Sequence, residues 1–100
     1  MQRYVIDLEE GQIAVQWKED TGQLILGGNK RLRDIVVVIF RDYFGIDESQ
    51  LQEHRIQQNK LRLSISLPFK RRQVYTAGID ALKEQGFSVR LVKSHGVIMR

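Results

Sequence analysis

The chain has 100 residues, 42% hydrophobic and 28% charged, the proportions of one folded domain spanning residues 1–100 rather than of a disordered chain. Cysteine is absent, which excludes disulfides, thiolate metal sites and a cysteine nucleophile. The net charge of +4 conceals an asymmetry: residues 1–53 hold 6 Lys/Arg against 10 Asp/Glu, a net of −4, whereas residues 54–100 hold 10 against 2, a net of +8.

Tyr4, Ile6 and Leu8 alternate with Val5 and Asp7, the period-two pattern of a strand with one buried face. Glu9-Glu10-Gly11 predicts a turn, and Ile13, Val15 and Trp17 predict a second strand. Asp20-Thr21-Gly22 predicts another turn, followed by a third strand over 23–26 that Gly27-Gly28 is expected to end.

From Asn29 the period changes. Leu32, Ile35, Val36, Ile39, Phe40 and Tyr43 form one helical stripe, so a helix is predicted over 29–44, with Asn29 as N-cap and Gly45 as C-terminal stop. The β-branched run over 35–39 argues for a strand, but the stripe and both caps agree on helix. Residues 51–57 read as a strand or a short helix. Leu61, Leu63, Ile65 and Leu67 predict a strand, and Gln58-Asn59-Lys60 would then close a hairpin.

Pro68 stops that strand and suits the first turn of a helix over 69–85, with Val74, Ala77, Gly78, Ala81 and Leu82 on its packed face and Gly86 at its end. Strands over 89–93 and 97–99 complete the chain. The expected fold is therefore α+β: a mostly antiparallel sheet with two helices packed on one face, in the approximate order βββα(β)βαββ. From the third strand onward this order is similar to that of small nucleic-acid-binding domains such as the Alba family and the C-terminal domain of bacterial initiation factor three. The similarity is one of element order alone, and no motif residue carries it.

No apolar run approaches the roughly 20 residues needed to span a bilayer, and residues 1–7 lack the pattern of a signal peptide, so a cytoplasmic protein without membrane contact is expected. Gly27-Gly28-Asn29-Lys30 lacks the spacing of a nucleotide-binding loop. His54 and His95 have no metal-ligand spacing, and the scattered carboxylates suggest no catalytic pair. No cofactor, metal or catalytic residue is expected.

The candidate site comes from charge instead. A helix N-terminus prefers anionic residues, yet the first predicted helix opens with Lys30, Arg31 and Arg33 and the second with Lys70, Arg71 and Arg72. Cations there cost about 0.3–1 kcal/mol each, a penalty that a docked anion reverses. Arg62, Ser64 and Ser66 share one strand face, with Lys60 at its end and Arg90 expected beside it, so a continuous basic surface is predicted. Lys70, Arg71 and Arg72 are its expected centre. Trp17, Tyr4 and Tyr43 fall on apolar stripes, leaving Phe69 as the candidate stacking aromatic. The expected function is non-enzymatic binding of nucleic acid or another polyanion. The alternative is a protein-interaction subunit, or a homo-oligomer, using the first and last strands as sheet edges.

Overall fold

The computed structural model describes residues 2–67 and 72–92. Strands β1 (Gln2–Leu8), β2 (Gly11–Lys18) and β3 (Gln23–Asn29) form the expected meander. Gly22 adopts the left-handed conformation in the second turn, at φ 68°, which a side chain would strain. β3 does not stop at Gly27-Gly28. It continues to Asn29 because both glycines pair with β5 (Lys60–Ser66), Gly27 opposite Arg62 and Gly28 opposite Leu61. They permit close approach within the sheet: a Cβ on Gly28 would lie 2.9 Å from the Gln12 carbonyl oxygen. The expected strand end is therefore a stretch of paired strand.

Helix α1 (Arg33–Phe44) follows a short 3-10 turn, Lys30–Leu32. Asn29 caps that turn, its Oδ1 accepting from the Arg31 N–H at 2.9 Å. Gly45 ends α1 at φ 69°, and Ile46 donates back to the Phe40 carbonyl at 2.9 Å. The β-branched run is helical because Val36, Ile39 and Phe40 reach the sheet together from one helix face.

Residues 51–57 resolve as strand β4 (Gln52–Gln57), preceded by a 3-10 turn at Glu48–Gln50 that an Asp47–Gln50 capping box closes. β4 pairs with β5 across the expected hairpin turn at Gln58-Asn59.

Helix α2 spans Arg72–Glu84, and Pro68 and Phe69 lie outside the described residues. Its buried face is Tyr75, Gly78, Ile79 and Leu82, one position off the expected stripe, with Ala77 exposed. The larger side chains win because they fill the space over the sheet: Tyr75 stacks on Trp17 at 5.7 Å between ring centroids. β6 (Ser88–Val92) completes the described sheet, and the expected strand over 97–99 lies outside the described residues.

The sheet order is β4-β5-β3-β2-β1-β6, with every pairing antiparallel. Both helices pack on one face, over a core built from Ile6, Ile13, Val15, Trp17, Leu26 and Leu63. The first strand is not an edge. It lies between β2 and β6, because β6 returns antiparallel beside it. Among the described residues the edges are β4 and β6. No helix among them is long and apolar enough to cross a membrane.

Candidate functional site

Because side chains alternate along a strand, the residues between the core positions line the face away from the helices. The register aligns Arg62, Gly27, Ala14, Val5 and Arg90 in one row across five strands. Next to it runs Ser64, Ile25, Gln16, Arg3 and Val92. The small side chains in the middle of the first row leave a groove of about 470 Å³. Val5, Ala14, Ile25 and Gly27 form its floor. Arg3, Lys60 and Arg62 stand around it with the amides of Gln12, Gln16 and Asn29, and no carboxylate lines it.

Arg62 and Arg90 thus share a face, as expected, but they are not neighbours. Three strands intervene, which at about 4.8 Å per strand separates them by roughly 19 Å. Arg90 is also committed elsewhere. Its guanidinium bonds both oxygens of Asp7, at 2.9 and 3.4 Å, and Gln12 Nε2 donates to Asp7 Oδ1 at 2.8 Å. The Arg90 hydrogen bond holds the Asp7 carboxyl below the usual carboxylate range, so the two charges cancel beside the groove.

The first basic cluster adjoins the groove. Lys30 N–H donates to the Asn59 carbonyl at 2.8 Å, which brings the 3-10 turn against the β4–β5 hairpin. A smaller cavity of about 270 Å³ there is lined by Lys30, Arg31, Arg33, Glu53 and Lys60. Lys60 borders both hollows, so Arg3, Arg62, Lys60, Lys30 and Arg31 form one chain of cations with no ion pair among the described residues. Arg33 is different. It reaches Glu53 at 2.9 Å and Glu48 at 3.1 Å, and its charge is answered locally. Both partners come from the segment after α1.

Arg72, the described member of the second cluster, is not adjacent. α2 begins at Arg72, which pairs with Glu19 at 3.4 Å beside the β2–β3 turn. Leu67 N–H donates to the Gly22 carbonyl at that same end of the sheet. Lys30 lies at the other end, a seven-residue strand away, on the order of 20 Å. Arg72 therefore does not join Lys30 and Arg31 in one continuous site. Lys70 and Arg71 lie outside the described residues.

Ser64 was expected on the accessible basic face with Ser66. Ser66 is exposed, but Ser64 is 1% exposed and its hydroxyl has no hydrogen-bond partner among the described residues. Arg3 was missed, although its alternation with Tyr4 places it on the same face as Val5. Tyr4 and Trp17 pack around Tyr75, and Tyr43 meets Phe87 edge-on; the candidate stacker Phe69 lies outside the described residues. Among the described residues no three His, Asp or Glu side chains cluster closely enough to hold a metal ion. Comparison of the chain with protein-family models, with curated proteins and with solved structures yields no match.

Proposed function

We propose that this chain is a non-enzymatic binding domain for nucleic acid or a related polyanion, engaging it on the helix-free sheet face and at the first helix start. The observation that carries the reading is the position of Lys60, which joins the groove to the neighbouring cavity and makes one run of five cations without an ion-pair partner among the described residues. Isolated surface lysines and arginines are ordinary, but here the groove has no lining carboxylate among the described residues and the one lining the adjoining cavity, Glu53, is paired with Arg33, so the run focuses a positive field. Interactions of this kind position a phosphate backbone without reading sequence. Arg72, the described member of the second basic cluster, is paired with Glu19 and stands apart from this run.

The test is fluorescence anisotropy with labelled DNA and RNA at several salt concentrations. Binding is expected to weaken linearly on logarithmic axes as salt rises. Arg3→Ala, Lys60→Ala and Arg62→Ala together are expected to flatten that slope by about one unit for each phosphate no longer neutralised. Unchanged binding by the folded triple variant overturns the assignment. A second reading, a protein-interaction subunit, draws support from Leu91, 46% exposed on the described edge strand β6. No binding to any polyanion at low salt, together with Leu91→Glu-sensitive self-association in analytical ultracentrifugation, favours that reading.

A further inference from the structure

Resting on that reading, we infer that the preferred ligand is single-stranded nucleic acid, with an unpaired base lying in the groove on the helix-free face. The groove has two chemistries. Its floor is aliphatic and backbone-lined, from Val5, Ala14, Ile25 and Gly27, whereas its rim is cationic and amide-bearing. A polyphosphate uses only the rim. A duplex also presents phosphates, but its base faces are stacked inward and cannot reach an apolar floor. A single strand offers both complements at once: a flat apolar base for the floor and flanking phosphates for Arg3, Lys60 and Arg62.

Size and charge agree with this occupant. The volume of about 470 Å³ falls in the range that holds small organic ligands. Asp7, bonded to Gln12 of the rim, is also bonded by Arg90, and Glu53 of the adjoining cavity is paired with Arg33, so neither repels a phosphate as a free anion would. With Gln12 Nε2 bonded to Asp7 and Asn29 Oδ1 to the Arg31 N–H, the Gln12 side-chain carbonyl acceptor and the Asn29 amide donor are left toward base edges. Among the described residues no aromatic lines the floor; aliphatic contact holds the base there, and the preference among bases is weak.

The substitution that separates the chemistries is Ala14→Lys. Ala14 sits mid-floor, half-buried, between Val5 and Gly27. A lysine there fills the floor yet adds a positive charge. The probes are a short oligothymidylate, an oligouridylate, a DNA duplex of equal length and a polyphosphate of equal charge, compared at one salt concentration. The two single strands are expected to bind about tenfold more tightly than duplex or polyphosphate, the equivalent of burying one base face. Ala14→Lys is expected to erase that preference while polyphosphate binding holds or tightens. Should the variant not fold by circular dichroism, amide chemical shifts of the unaltered chain decide. Oligothymidylate is expected to perturb Ala14, Gly27 and Gly28, and shifts confined to Lys30, Arg31 and Lys60 overturn the inference. Equal binding of polyphosphate, or a single-strand preference that survives Ala14→Lys, also overturns it while leaving polyanion binding intact. Failure of all four probes overturns both.

Discussion

The ring of Phe44, the last residue of α1, occupies the space that a side chain at Gly78 of α2 would need. A Cβ at Gly78 would fall 2.2 Å from Phe44 Cε1 and 2.3 Å from Cδ1. The two helices lie over the sheet at a separation that this glycine sets, and both residues are buried.

Gly78→Ala is therefore expected to destabilise the protein, against the usual helix trend. Alanine gains about 1 kcal/mol of helix propensity over glycine. The clash with the buried Phe44 ring costs about 1–3 kcal/mol or more. A lower thermal midpoint checks this; a raised one shows that α2 shifts freely on the sheet.

Ser64→Ala is expected to act in the opposite direction. The Ser64 hydroxyl is buried without a partner among the described residues, and an unsatisfied buried polar group costs about 1–3 kcal/mol. Alanine removes that penalty and keeps the strand. A gain of about 1 kcal/mol would raise the midpoint by about 4–8 °C in a domain of this size. A fall in the midpoint would mean that the hydroxyl is satisfied in solution.

Much of the fold was legible because period-two and helical patterns report burial directly. Val36, Ile39 and Phe40 announced α1, and Leu61, Leu63 and Ile65 announced β5. Two local rules misled. Gly27-Gly28 reads as a strand end from propensity, but pairing with Arg62 and Leu61 fixes it as strand, and pairing is not a local property. Alanines at 77 and 81 suggested the packed face of α2, whereas volume over Trp17 selected Tyr75 and Ile79. The candidate site was legible as charge but not as geometry. That Lys60 faces Asn29, that Arg33 reaches Glu48 and Glu53, and that the helix starts lie at opposite ends all follow from sheet order.

The Asp7–Arg90 pair predicts a pH dependence. Asp7 is depressed in the folded chain, first by the Arg90 hydrogen bond. A depressed carboxyl contributes stability that is present above its unfolded value, near 3.8, and is lost as pH falls through the folded value. Arg90→Gln is expected to return the Asp7 titration, followed by carboxyl carbon chemical shift, toward 3.8 and to shrink the acid-side loss of stability. An Asp7 titration unmoved by this change would assign the depression to Gln12 instead.

The charge map makes one further prediction, about which cations count. Among the described residues four arginines already have carboxylate partners: Arg33 with Glu48 and Glu53, Arg41 with Asp42, Arg72 with Glu19 and Arg90 with Asp7. Removing an engaged arginine uncovers its carboxylate, which lowers the local potential but takes away no free phosphate donor. Removing Lys60 takes a donor from the point where the two hollows meet. Lys60→Ala is therefore expected to weaken polyanion binding and to lower the salt slope by about one unit. Arg33→Ala and Arg72→Ala are expected to weaken binding through the uncovered acid while leaving the slope nearly unchanged. Anisotropy titrations of the three single variants across salt make the comparison. A slope that falls as far for Arg72→Ala as for Lys60→Ala would move the phosphate-binding site to the start of α2, at the opposite end of the sheet.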